Sequence, residues 1–394
     1  MANTLNTYNP VFYAVNALIQ LEDAMGLAAR VFRGIDEERR AFGRGDVINI
    51  RRPSSFTAAD APATVSDLAT ETVAVTLNKW KEVKFKLTDK ELTITGDRII
   101  SDHIRPAAVA LADDIDMTLA DLYLDFPYQY SLNATPGSAI ADITAPRKTL
   151  FDNKVPVTDG NLHYMVSGTV EQNLLGQTAF TQYQGAGPMG AESQLRGTIG
   201  KRFGTEVFAN QNVRSFTTGV GGADVTGATT AAGVVGDKTI TANGFGATAV
   251  TNFFRAGDTI KFAGHSQSYV LTAAKNVEVT TGLVTGGLAF EPGLVAAVAS
   301  AEVITATTGD GTAKVRFQNL FFHRDAMCLA MAPLSEMGGE LGAKIATVTD
   351  PITGLALRSR LFYIGDSSEV RVALDVLYGV KVLNRQMAVR TYHE

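Results

Sequence analysis

Cysteine and tryptophan are nearly missing from this chain: Cys328 and Trp80 each stand alone among 394 residues. A single thiol excludes a disulfide framework within the chain and a cysteine-rich zinc site. Cys328 lies in the apolar run Ala326–Ala330, where a small buried hydrophobe is expected, since no partner histidine can be assigned to make it a nucleophile. Histidine is sparse as well. His103, His163, His265, His323 and His393 are scattered, with no HExxH, no His-x-His and no ligand spacing, so no metal site is expected. Positive charge is short: 35 Lys and Arg against 40 Asp and Glu leave a formal net charge of −5. That balance argues against a protein whose main task is to grip phosphate backbones. No uncharged apolar run reaches the ~18 residues that a membrane-spanning helix requires. The N-terminal stretch MANTLNTYNPVFYAVNALIQL has no basic residue before Arg30 and no cleavage pattern, so no signal peptide is expected and folding in a reducing cytoplasm is.

Catalytic signatures are also missing. There is no Gly-x-Ser-x-Gly elbow and no dinucleotide fingerprint. Around Gly200-Lys201 a phosphate loop fails, because Arg202 stands where Ser or Thr is needed and the first glycine is misplaced. The acid pairs Asp113-Asp114 and Glu37-Glu38 are neighbours in sequence, as solvated faces usually are, although a carboxylate pair from distant positions stays open. No catalytic residue, metal ligand or cofactor is assigned.

What is present is a long helix signal between two β-rich regions. In Asp97–Tyr130 the apolar positions Val109, Ala112, Ile115, Met117, Leu119, Leu122, Tyr123 and Phe126 recur at threes and fours, with Asp113, Asp114, Asp116, Asp121 and Asp125 mostly between them. Pro106 suits a first turn and Pro127 closes the segment, which predicts a spine of ~20 residues, about 30 Å long. A core helix of an α+β enzyme is the other reading.

The rest follows in order. Asn9-Pro10 begins a helix to about Val31, whose stripe of Val11, Val15, Leu18, Ile19, Leu21, Met25 and Leu27 must be covered by its own domain or by a neighbour. Asp36–Arg40 reads as a charged turn, and Gly43-Arg44-Gly45-Asp46 opens a strand at Val47–Ile50; an adhesive Arg-Gly-Asp is the lesser reading without secretion. Pro53–Thr70 reads as a loop. Thr72–Leu77 and Trp80–Leu87, joined by Asn78-Lys79, predict a hairpin whose second strand crowds Lys79, Lys81, Lys84 and Lys86 around Trp80, Val83 and Phe85. Such lysines protect an edge strand or dock an acidic partner. Asn133–Pro146 reads as loop, Asp159–Ser167 as strand, Gly168–Leu175 as helix, Gly185–Gly200 as a Gly-rich stretch and Lys201–Phe208 as turn and strand. From about Thr218 to Thr312 short strands alternate with Gly-rich turns, which predicts an inserted antiparallel barrel or sandwich. Beyond it, Asn319–Asp325 is expected to open a short helix at Ala326–Ala332, and Arg358–Ile364, Ser368–Leu377 and Val389–Tyr392 a closing sheet.

This order of parts resembles the major capsid proteins of tailed bacteriophages, and the insertion resembles that of the coat proteins of short-tailed enterobacterial phages. Arg255–Gly264 followed by Ala273–Val277 is similar to a run inside that family's barrel, while Asn319–Ala326 and Leu374–Lys381 are similar to other capsid segments. The resemblance implies an α+β tailed-phage capsid fold with an inserted antiparallel β-barrel. Its parts would be an N-terminal arm (1–45), a strand and extended-loop hairpin (46–96), the spine helix and peripheral domain (97–146), a first axial part (147–217), the inserted barrel (218–317) and a second axial part with closing peripheral strands (318–394). It also implies a non-enzymatic shell subunit that self-assembles as hexamers and pentamers, of T=7 type, in the host cytoplasm. A scaffolding protein, a portal, a decoration protein and weakly contacted double-stranded DNA would be its partners in the virion, with no membrane. Under it, Lys79, Trp80, Lys81, Lys84, Lys86, Asp113, Asp116, Asp121, Asp237 and Lys238 are the candidate inter-subunit contacts. The insertion's outer loop, Gly236–Val250, keeps only Asp237 and Lys238 as charges, which departs from the charged loop of those relatives. An encapsulin-like cellular shell, or an enzyme or adhesive β-rich binding protein, are the competing readings.

Overall fold

This computed structural model describes residues 10–33, 47–51, 60–61, 72–88, 103–181, 194–221, 225–246, 250–278, 280–308, 312–336, 344–350, 353–365 and 369–394. The charged turn at 36–40, the Arg-Gly-Asp triplet at 44–46, most of the loop at 53–70 and the first half of the Gly-rich stretch at 185–200 lie outside the described residues.

Helix α1 is Pro10–Ala24, and strands β1 (Val47–Arg51), β2 (Thr72–Thr76) and β3 (Lys79–Thr88) precede helix α2, Arg105–Ala120. Strand β4 (Gln129–Ser131), helix α3 (Ala141–Asp152), β5 (Leu162–Val166), helix α4 (Gly168–Leu175) and the single turn α5 (Thr178–Thr181) follow. Then come β6 (Gly200–Arg202), β7 (Thr205–Ala209) and β8 (Arg214–Thr217). Next are β9 (Val225–Thr229), β10 (Thr239–Ile240), β11 (Ala242–Asn243), β12 (Val250–Phe254), β13 (Thr259–Phe262), β14 (Tyr269–Leu271), β15 (Lys275–Val277), β16 (Leu288–Glu291) and β17 (Val303–Thr307). The chain ends with β18 (Val315–His323), β19 (Met327–Ala332), β20 (Lys344–Thr349), β21 (Ala356–Ile364), β22 (Glu369–Val382) and β23 (Ala388–His393).

These elements fall into two compact units, Met1–Leu119 with Met327–Leu383, and Ala120–Ala326 with Asn384–Glu394. In the first, β22 is the central strand. It pairs antiparallel with β3 along one side and with β21 and then β19 along the other, and β20 lies beyond β21. Helix α1 packs on β20 and β21 through Tyr13, Ala14, Ala17, Leu18 and Leu21, a stripe at helical spacing. Helix α2 buries Ala107, Ala108, Leu111, Ala112, Ile115 and Leu119, again at threes and fours.

In the second unit, a mixed sheet runs β4-β23-β18-β5-β7-β6, with β8 beside β18. Its core sets Tyr164, Val166 and Phe321 against Ile143 and Leu150 of α3, Val170 and Leu174 of α4, and Phe180. The stretch Val225–Thr307 has a second core cluster, in which Phe245, Phe253, Phe254, Phe262, Tyr269 and Phe290 are buried together. Ring centroids 4.8–5.8 Å apart at steep angles, as in Phe253–Phe254 and Phe262–Phe290, are the edge-to-face geometry aromatic quadrupoles favour. Its main sheet is antiparallel in the order β10-β16-β14-β13-β17-β9-β11, so the path begins and ends on strands that only Thr241 separates.

Several expectations are corrected. Thr72–Leu87 is not a hairpin: β2 pairs with β1, while β3 pairs with β22 from Lys79↔Tyr378 to Thr88↔Glu369. The two strands separate near Gly379, where a Cβ would come within 2.3 Å of the Thr76 carbonyl oxygen, so the chain passes there only over glycine. Met327–Ala332 is strand rather than helix, buried at every position and paired with Val382–Leu377, and Asn319–His323 belongs to β18. The spine stops at Ala120 and tightens into a 3-10 segment at Asp121–Asp125. The first helix ends at Ala24, with a 3-10 turn at Ala28–Arg30. The expected loop Asn133–Pro146 gives way to α3 at Ala141, and Pro146 is tolerated inside its second turn.

Candidate functional site

Strand β3 carries most of the candidate contacts, and its register fixes what each can reach. Lys81 Nζ lies 2.8 Å from Asp114 Oδ1 of α2, whose other carboxylate oxygen accepts from the Tyr378 hydroxyl at 2.6 Å. Burial and that hydrogen bond push the Tyr378 phenol up from its ordinary range. Lys84 Nζ is 3.1 Å from Glu82, and Lys86 is 3.4 Å from the buried Glu369. Lys79 and Trp80 are exposed, Trp80 at 59%, although its indole N–H donates to Asp375 Oδ2 at 3.2 Å.

Asp375 is the centre of this seam. It is fully buried between Arg358 and Glu82, its cross-strand neighbours, and takes a side-on pair of hydrogen bonds from Arg358 Nε, at 3.2 Å, and Nη2. Arg360 Nη2 lies 2.7 Å from Glu82 and 3.3 Å from Asp375, bridging two carboxylates that face each other across the strands. The seam is invisible along the sequence because its members lie almost 300 positions apart.

Asp113 is exposed on α2, whereas Asp116 is buried and accepts from the backbone N–H groups of Gly26, Leu27 and Ala28 at 2.8–2.9 Å. Its candidate contact role is therefore corrected: the carboxylate holds the turn after α1. A sequence signal existed, since Asp116 sits four residues after Ala112 and beside Ile115, on the apolar face. In the second unit, Asp121 receives both Nε and Nη2 of Arg214 at 2.6 and 2.7 Å. Asp237 accepts from the Val234 N–H at 2.8 Å, and Lys238 pairs with Glu291 at 2.7 Å, which Arg385 also reaches at 3.1 Å.

Two further clusters escaped the sequence. His323 Nε2 lies 2.7 Å from Asp159 Oδ2. Partial burial works to raise the Asp159 pKa, but the bonds from His323 and Asn161 outweigh it and hold the carboxyl at about 2. The other cluster is the turn Arg255–Asp258, which lies against β8 and β23 of the mixed sheet. Gly257 has φ +104°, and a Cβ there would strike Leu124 and Phe216 at 2.7 and 2.8 Å. The buried Arg390 donates to the Gly257 carbonyl at 3.0 Å.

Burial pushes the Cys328 thiol up to about 12, which leaves it protonated and unreactive at neutral pH. Among the described residues, no group of three or more His, Cys, Asp and Glu is placed to hold a metal ion, and no helix is long and apolar enough to cross a membrane.

No family model and no curated protein matches the chain by sequence. Among solved structures, the chain is similar to one from Mycobacterium phage Che8, at 16% identity and a TM-score of 0.49, over 93% of this chain and 90% of that one. It is also similar to the capsid of Ralstonia phage GP4, at 12% identity and a TM-score of 0.43, over 92% and 87%. A virus-like particle from Pyrococcus furiosus aligns at 8% identity and a TM-score of 0.40, over 97% and 98%.

Proposed function

We propose that this chain is a structural subunit of a self-assembling shell, of the major capsid type that its order of parts resembles. The observation that carries the reading is the outer face of α1. Val11, Phe12, Val15 and Ile19 are 39–51% exposed, one turn after another, on a helix without a charge before Glu22. A contiguous apolar stripe on a free chain marks a surface that is covered in an assembly. The opposite face of the same helix is docked on β20 and β21, so the stripe is presented rather than loose.

In this reading, exposed Lys79, Trp80, Lys84 and Lys86 contact acidic positions of a neighbour such as Asp113 and Asp121, and Asp237 and Lys238 contact across the insertion. Asp116 leaves that set. An inserted barrel belongs to the same reading; what supports it is that only Thr241 separates β10, which pairs with β16, from β11, which pairs with β9. The finer features belong to the proposal too: hexamers and pentamers, a scaffolded procapsid that expands around double-stranded DNA, a portal and a decoration protein.

Negative-stain electron microscopy and sedimentation of the full chain, expressed alone and with its genomic neighbours, test the reading. Closed shells or tubular polymers are expected. Uniform small particles in every condition would overturn it.

A further inference from the structure

The junction between the insertion and the mixed sheet is built on a buried carboxylate. Asp258 is 2% exposed; its Oδ2 accepts from the N–H groups of Arg255, at 2.8 Å, and Gly219, at 3.1 Å, while Oδ1 has no hydrogen-bond partner among the described residues. The backbone of the same turn closes on β14, since Leu271 N–H donates to the Asp258 carbonyl and Gly257 N–H to the Leu271 carbonyl, both at 2.8 Å. Opposite stand two arginines of the mixed sheet. Arg390 of β23, 1% exposed, spends Nη1 on the Gly257 carbonyl, while its Nε and Nη2 have no hydrogen-bond partner among the described residues. Arg316 of β18 spends Nη2 on the Thr308 carbonyl, at 3.0 Å, and lies 3.4 Å from Glu394. Both guanidinium groups act on Asp258 through space, and Tyr123 and Tyr392 face Arg390 in turn.

We propose that the protonation state of Asp258 sets how tightly the inserted module is seated on the mixed sheet. Every other polar contact of the turn is a backbone hydrogen bond or a bond from a permanent cation, so this carboxyl is the member whose charge can change under mild conditions. Burial is the dominant influence and pushes it up to about 6, against 3.8 for a free carboxyl, and the backbone amides and arginines offset only part of that. The folded pKa is raised, so the contribution to seating is fully present below about 3.8 and is lost as pH rises through about 6. Arg390 moves in the complementary sense, held down at about 10 by its own burial. His393, also on β23, has a pKa lowered by burial, so its protonation opposes folding as pH falls and cannot imitate the effect. The proposal concerns the single chain and is independent of the shell reading.

Hydrogen exchange of the full chain, corrected for intrinsic rates, tests it at the amides of Gly219, Arg255 and Leu271, with Phe321 of the mixed-sheet core as internal reference. The opening constant at the three amides is expected to be about tenfold smaller at pH 5 than at pH 7.5. In Asp258→Asn, which keeps an acceptor oxygen and removes the charge, the opening constant at pH 7.5 is expected to fall below the wild-type pH 5 level, because the wild-type carboxyl is still ionised in the open state at pH 5, and to lose its pH dependence. A wild-type profile flat within twofold overturns the proposal, and so does the same slope surviving in Asp258→Asn. A variant that fails to fold also overturns it, because a neutral side chain is expected to seat the module at least as well.

Discussion

At the scale of single residues, two buried or partly buried carboxyls, Asp159 and Asp258, can each be tested by a pH signature. Asp159 differs in sign from Asp258. Its folded pKa of about 2 lies below the free value of 3.8, so its contribution is present above about 3.8 and disappears as pH falls through about 2. The side chain is a third exposed, so solvent screening limits the contribution to about 1 kcal/mol. Acid unfolding followed by circular dichroism is expected to show Asp159→Asn less stable than wild type by about that amount at pH 7 and indistinguishable from it near pH 2. A gap that persists at pH 2 would mean that His323 and Asp159 interact through shape rather than charge.

At the scale of elements, legibility in the sequence followed how local the deciding contact is. Helix α4 was readable to the residue because Gly168–Leu175 is a short amphipathic run after a strand; β21 and β23 were placed as strands, but β23 is buried at all six positions and β21 at its first four, so the alternation expected there is not observed. Met327–Ala332 was not: six apolar side chains buried on both faces have no period, and pairing with β22 some 50 positions later decides for strand. The partner of β3 was equally hidden, since Trp80 sits opposite Leu377. Asp116 shows the same limit at the candidate site. Its spacing on α2 was visible, but the three amides it serves lie about 90 positions earlier. Removing that carboxylate strands buried N–H groups at roughly 1–3 kcal/mol each. Asp116→Ala is therefore expected to lower stability by about 3 kcal/mol or more and to speed hydrogen exchange at Leu27 and Ala28. Unchanged exchange at those amides would show that the packing of α1 on β20 and β21 holds the turn unaided.

At the scale of the whole molecule, the proposed assembly has two candidate surfaces to drive it, and they differ in their response to salt. The lysine strand acts by charge, and raising ionic strength from ~0.1 M to ~1 M shortens the screening length from about 10 Å to about 3 Å. Its pairs are already partly satisfied within the chain: Lys81 by Asp114 and Lys86 by Glu369. Replacing Lys81, Lys84 and Lys86 together with glutamate would thus place like charges inside the chain's own sheet and confound folding with docking, whereas Lys79→Glu alone leaves those pairs intact. The α1 face acts by removing apolar surface from water, at roughly 25 cal/mol per Å², which salt does not screen. Since Val15 and Ile19 are already 39% and 51% exposed, lysine at both positions should leave the free chain folded. Sedimentation of the full chain is expected to show assemblies that persist at ~1 M salt, survive Lys79→Glu and vanish in the Val15→Lys, Ile19→Lys double variant. Assemblies that dissolve at ~1 M salt yet form normally in the double variant would hand the driving role to the lysine strand and leave the α1 stripe for a different partner.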